Sequence, residues 1–74
     1  MQITVKLFAS FRNGRFVTAV QELADGTSIA QIIDSLHLTR EEVGTIMLNS
    51  RHATPEQELC DGDRLALFPL VGGG

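Results

Sequence analysis

The chain has little of what most catalytic or metal-bearing sites are made from. Its single cysteine among 74 residues rules out an intramolecular disulfide and a four-cysteine metal or iron–sulfur centre. Six Lys and Arg against nine Asp and Glu leave no basic footprint of the kind that binds nucleic acid by counterion release. No apolar run approaches the roughly 20 residues of a membrane-spanning helix. Neither nucleic acid nor a membrane is therefore expected as a partner. The opening Met-Gln-Ile-Thr-Val-Lys does not resemble a signal peptide, and an unpaired cysteine is at home in a reducing compartment. A cytoplasmic location is the expectation. The length allows one small domain, burying only about 60% of its unfolded surface. An enclosed pocket does not fit so few residues. These absences point to a component that works on, or inside, a larger partner, and not to an enzyme.

What is present is a clear run of elements. Ile3, Val5, Leu7, Ala9 and Phe11 share one face at period two, which predicts a strand over 2–12. Asn13-Gly14 is a hairpin signal, since a type I′ turn needs positive φ at both central positions. The return strand is then expected over 15–23. A two-residue turn there sets Phe11 opposite Phe16, Leu7 opposite Val20 and Phe8 opposite Ala19, with the pairing ending or bulging where Val5 meets Glu22. Ser28 and Gln31 match a capping box. Behind it, Ile29, Ile32, Ile33 and Leu36 form one helical stripe, expected to pack on a sheet. Thr39 can cap a short helical turn over 39–42. A short strand follows over 45–49, then a turn at 49–52, and Pro55 ends any strand before it. The stretch 56–60 is too short to matter as an element. A final strand over 64–68 has Leu65 and Leu67 on one face and Ala66 and Phe68 on the other. One helix on one mixed sheet makes a two-layer α+β domain, and the helix is the crossover that lets a later strand run parallel to an early one.

Candidates for chemistry are few. Cys60 follows Leu59 without a neighbouring base and reads as a small buried hydrophobe. His37 and His52 lack ligand spacing, so no metal site is expected. Asp61-Gly62-Asp63 reads as a turn using side-chain-to-backbone hydrogen bonds rather than a catalytic carboxylate pair. No Gly-rich loop precedes the helix in a phosphate-binding arrangement. No catalytic residue emerges.

The end of the chain is different. Three terminal glycines, Gly72, Gly73 and Gly74, arise by chance about 3 times in 10,000 at roughly 7% glycine usage. They follow an apolar strand and Pro69-Leu70-Val71, and Pro69 is expected to stop that strand and turn the chain away from the sheet. The expected organisation is a domain over 1–69 and a flexible Gly-rich tail over 70–74. A tail without side chains can enter a narrow channel and lay its backbone beside a catalytic group. Its distinctive group is the Gly74 carboxylate, a poor acyl donor until activated, typically as an acyl-adenylate made from ATP.

The segment Asp61-Gly62-Asp63-Arg64-Leu65-Ala66-Leu67-Phe68-Pro69-Leu70-Val71-Gly72-Gly73-Gly74 strongly resembles the C-terminal signature of the MoaD/ThiS family of ubiquitin-like sulfur carriers. The resemblance extends over the whole chain in length and element order. It implies a β-grasp fold with a mixed sheet of four to five strands on one main helix. It also implies that Gly74 is adenylated by an E1-like activating enzyme using ATP, with no cofactor bound to the chain itself. Conversion to a thiocarboxylate by a persulfide sulfur donor would follow, and then sulfur donation to a biosynthetic product. Leu67-Phe68-Pro69 and Lys6-Leu7-Phe8-Ala9-Ser10-Phe11-Arg12 look most like the small subunit of molybdopterin synthase, whose large subunit is then the implied partner. In that branch a second proline commonly follows Phe-Pro, where this chain has Leu70. The compact length looks more like the thiamine-pathway carrier that serves thiazole synthase. A third reading is a protein modifier joined through Gly74 to target lysines. Phe8 and Phe68, with Pro69, Leu70 and Val71, are the candidate partner interface, and both phenylalanines have core packing as the competing role. Arg12, Arg15 and Arg64 are available to pair with acidic partner residues.

Overall fold

A computed structural model describes residues 1–70. Among these residues there are five strands and one α-helix: β1 (Gln2–Leu7), β2 (Thr18–Glu22), α1 (Ile29–Ser35), β3 (Val43–Leu48), β4 (Arg51–His52) and β5 (Arg64–Pro69). The sheet order is β2-β1-β5-β3-β4. β5 runs parallel to β1 and antiparallel to β3, so the last strand lies in the middle of the sheet. The α+β class and the mixed sheet are those expected from the sequence.

The helix forms where its local signals are. Ser28 accepts from the Gln31 N–H, and the Gln31 side chain accepts from the Ser28 N–H, closing the capping box at both ends. Ile29, Ile32 and Ile33 are buried and join Ile3, Val5, Leu7, Leu65 and Leu67 in one core cluster between helix and sheet. Each such side chain stabilises the fold by roughly 1.5–3 kcal/mol on leaving water. The helix closes in a Schellman turn. His37 takes φ 59°, its N–H donates to Asp34 O, and the Leu38 N–H donates to Ile33 O. That turn buries Leu38, within a connection that reads as polar. Thr39 caps a 3₁₀ turn over Arg40–Glu42 through a second capping box with Glu42.

The first hairpin corrects the sequence expectation. β1 ends at Leu7, and Ala9 adopts φ 51° at the start of a 3₁₀ turn over Ala9–Arg12. That turn, not a longer strand, brings Phe11 into the core. Asn13 has φ −66° and ψ 121° and Gly14 φ 67°. With the Arg15 N–H donating to Arg12 O, this is a type II turn, whose twist does not suit a two-residue hairpin. The pairing is therefore Thr4 with Val20 and Val5 with Ala19, instead of Leu7 with Val20 and Phe8 with Ala19. Phe11 and Phe16 are not strand partners, Val5 does not meet Glu22, and Val20 stands exposed on the outer face. The tight hairpin is elsewhere: Asn49 and Ser50 have φ 51° and 67°, the signs of a type I′ turn, and join Leu48 to Arg51. Arg51–His52, expected as part of a turn, is thus a short strand.

Two further expectations change near residue 60. Cys60 is exposed, not buried. Leu59 takes the inward position, and the Cys60 N–H donates to Asp63 Oδ2 as the chain turns. The stretch before it forms only an isolated bridge, Ser28 with Glu58, yet it matters. Its carbonyls at Pro55 and Gln57 accept from the N–H groups of Ala30 and Ile29, satisfying first-turn donors that a helix leaves open. Asp61 and Asp63 act as turn residues: Asp61 Oδ1 accepts from the Gln2 N–H, and Asp63 Oδ1 accepts from Asn49 Nδ2.

Candidate functional site

β5 carries two kinds of residue. Leu65 and Leu67 point into the core, and Ala66 and Phe68 point to the sheet face that α1 does not cover. On that face the parallel register pairs Leu7 with Leu67, which brings Phe8 beside Phe68. Their rings stack with centroids 4.1 Å apart and planes 11° from parallel. Both are half-buried and neither belongs to the core cluster.

Cations surround this pair. Lys6 Nζ and Arg12 Cζ each lie 5.3 Å from the Phe8 ring centroid, within cation–π range. Arg12 is held there because its Nε donates to Leu7 O at 2.8 Å. Thr4, Lys6, Met47, Arg64, Ala66 and Phe68 line a shallow hollow of about 530 Å³ beside the stack. An acid on the same face, Glu22, sits at the far end of β1 and β2 and accepts from Gln2 Nε2. An apolar patch with a positive rim thus stands on a protein of net charge −3. Arg15 does not join it: Arg15 Nε donates to Leu36 O, on the helix side. The sequence signal for the Lys6 contact was available, since positions 6 and 8 share a strand face.

At the end of β5 the chain is held longer than its proline suggests. β5 includes Pro69, which pairs with Val43, and the Leu70 N–H donates to Glu42 O at 2.8 Å. Backbone alternation puts the Pro69 nitrogen on the β1 side, beyond the Phe8 N–H to Leu67 O bond, where β1 has already ended. The missing N–H costs no ladder bond there. The Leu70 side chain is exposed. Val71, Gly72, Gly73 and Gly74 lie outside the described residues.

Among the described residues, Glu42 has a displaced ionisation. Its carboxyl is held below the ordinary value of 4.5, first by the Thr39 backbone N–H, then by the Thr39 hydroxyl, and more weakly by the charge of Arg15. The first two contacts measure 3.0 and 2.9 Å. A carboxylate favoured in the folded state stabilises it above the unfolded value, and that contribution is lost as pH falls through the lower folded value. We predict that Glu42→Gln lowers Tm at neutral pH, and that the gap to wild type closes in buffers below 4.5. Thermal unfolding across that range is the measurement, and a gap independent of pH would refute the assignment.

Among the described residues no group of three or more His, Cys, Asp or Glu is placed to hold a metal ion, and no helix is long and apolar enough to cross a membrane. A helix laid on a mixed sheet whose last strand is central and parallel to the first is the ubiquitin-like β-grasp, a fold that presents its C-terminal end beside an open sheet face. The model of the ThiS family matches residues 5–74, and the chain belongs to that family, within the MoaD/ThiS group of small sulfur carriers and ubiquitin-like modifiers. The putative molybdopterin converting factor subunit 1 of Pyrococcus furiosus is similar at 27% identity, over 96% of this chain and 99% of that one, with a TM-score of 0.78. The small archaeal modifier protein 1 of Haloferax volcanii shares the fold at 22% identity, over 95% and 98% of the two chains, with a TM-score of 0.75. So does a protein in the complex of subunits 1 and 2 of the molybdopterin-converting factor of Helicobacter pylori, at 22% identity over the whole of both chains, TM-score 0.66. No curated protein matches the sequence.

Proposed function

We propose that this chain is a sulfur carrier for molybdopterin biosynthesis, with Gly74 as the sulfur-bearing residue. The observation that carries the reading is the family match running to the last residue, over a tail that ends in three glycines. The likeness to a putative molybdopterin converting factor subunit from Pyrococcus furiosus favours this branch over the thiazole one.

The chemistry follows from the carboxylate. An E1-like activating enzyme joins the Gly74 carboxylate to the α-phosphorus of ATP and releases pyrophosphate. The terminal sulfur of a persulfide attacks the acyl carbon and expels AMP, leaving an acyl disulfide. A second thiol reduces that disulfide, giving the thiocarboxylate and a new disulfide on the donor side. The chain supplies the acyl group and the partner supplies the catalysis. The face around Phe8 and Phe68 docks the activating enzyme and then the synthase large subunit. Its positive rim suits acidic partner residues, and the tail beyond Pro69 and Leu70 is the part that enters their active sites.

Intact mass spectrometry tests the reading. After incubation with an activating enzyme, ATP and a persulfide donor, the chain is expected to gain the mass of one sulfur less one oxygen, located at Gly74. An unchanged mass with an activator that forms the adenylate would overturn the carrier role. The same adenylate can be captured by a lysine amine, so cellular lysines that carry residues 65–74, the segment trypsin leaves after Arg64, would support the modifier reading. Genomic proximity to a thiazole synthase would favour the thiamine branch.

A further inference from the structure

Leu70 is held by a hydrogen bond to the turn before β3 and lies close against the first residues of that strand. Its N–H donates to the Glu42 carbonyl at 2.8 Å, and Glu42 is fixed by its capping box with Thr39. Gly44 provides the second contact. A Cβ built there would lie 2.7 Å from Leu70 Cα and 3.0 Å from both Leu70 N and Pro69 O, all backbone atoms that cannot swing aside. The register shifts between Val43 and Thr45, so Gly44 is the residue at the irregularity, facing the Pro69–Leu70 backbone. Positive φ values occur at Gly14, Gly26 and Gly62 but not at Gly44. Glycine stands here for close approach, not for its own conformation.

We propose that Glu42 and Gly44 form a clamp that positions the tail for activation, a role that rests on the carrier reading given above. Beyond Leu70 the sequence has four residues, which span at most about 14 Å fully extended. The Gly74 carboxylate must therefore find the nucleotide within that radius of the clamp once the body has docked. Releasing Leu70 and Pro69 adds two residues of free chain, about 7 Å of reach. The carboxylate then samples a larger volume, and its effective concentration at the nucleotide falls. Glu42 and Gly44 touch neither nucleotide nor acyl carbon; they are positioning residues, acting through the backbone of Leu70.

The test is Gly44→Ala, assayed by ATP–pyrophosphate exchange with an adenylating enzyme that accepts the wild-type chain. The expected result is a fall in kcat of about twofold or more, as the free tail lengthens from four residues to six, with KM unchanged because the docking face is intact. In the same variant the Leu70 amide should lose its protection from hydrogen exchange while the core amides keep theirs. A synthetic chain with the Leu70 amide nitrogen replaced by an ester oxygen deletes only the donated hydrogen bond, and should lower kcat in the same direction. It decides the matter if the alanine variant does not fold. Wild-type kcat in either folded variant, or full Leu70 protection in Gly44→Ala, overturns the clamp. A wild-type chain that no adenylating enzyme accepts overturns the carrier reading itself, and the clamp with it.

Discussion

A chain shortened by Gly73 and Gly74 is expected to unfold at the temperature of the full-length protein and to be inert towards an activating enzyme. The first half follows from where stability resides. The buried apolar cluster begins at Ile3 and ends, in sequence, at Leu67, and the hydrogen bond at Leu70 lies upstream of the deletion. The second half follows from reach. The truncated chain still ends in a carboxylate, on Gly72, but that group stops about 7 Å short. Acyl activation needs reacting atoms within about 3–3.5 Å of each other in an aligned approach. A deficit of two residues can be closed only by undocking the body or by pulling Pro69 and Leu70 away from Glu42 and Gly44, and either step costs contacts the full-length chain keeps. Adenylation should fall below detection, and Tm should stay within measurement error. Full adenylation by the shortened chain would sink the carrier and modifier readings together. A large drop in Tm would show instead that the tail packs on the domain.

The elements read correctly from sequence are those whose determinants are local. Ser28 with Gln31, and Thr39 with Glu42, satisfy first-turn donors within four residues of chain. Ile29, Ile32 and Ile33 of the expected stripe then have one way to face a core, while Leu36, its fourth member, is the half-buried C-cap just past the helix. The hairpin at Asn13-Gly14 failed because its turn type was decided elsewhere. Phe11 reaches the core from the 3₁₀ turn, and the Arg12 contact to Leu7 O and the Arg15 contact to Leu36 O brace the detour. Asn49-Ser50 makes the type I′ turn although Ser is a poor residue for positive φ. The Asn49 side chain accepts from the Arg64 N–H and donates to Asp63, so contacts across the sheet hold the strained pair. The same division applies to the site. The glycine tail and Phe-Pro were legible as a string of letters. The stacking of Phe8 on Phe68, and the need for glycine at 44, depend on β1 and β3 flanking β5, which no local pattern states.

The second large effect separates the two faces of β5. Leu67→Ala is expected to remove about 2–5 kcal/mol of stability, because Leu67 is fully buried and lies in the middle of the central strand, between Leu7 and Ile46. A domain of 74 residues has only about 4–11 kcal/mol to lose. At about 4–8 °C per kcal/mol for this size, Tm should fall by some 10 °C or more. Phe68, the next residue, faces outwards, and Phe68→Ala removes a half-buried ring and one aromatic stack of about 0.5–1.5 kcal/mol. Its stability loss should be the smaller of the two. Its functional loss should be the larger: a raised KM for the activating enzyme, with the maximal rate kept at saturating carrier. Leu67→Ala, assayed well below its lowered Tm, should show the wild-type KM, since the docking face and the clamp at Leu70 are untouched. Thermal unfolding and steady-state kinetics on the two variants make the comparison. If Phe68→Ala destabilises as much as Leu67→Ala and leaves KM alone, the stacked pair is a structural feature of the sheet and docking must lie elsewhere. If the effects divide as expected, one strand does two jobs by alternation: its odd positions hold the β-grasp together and its even positions present it to the enzyme that loads its end.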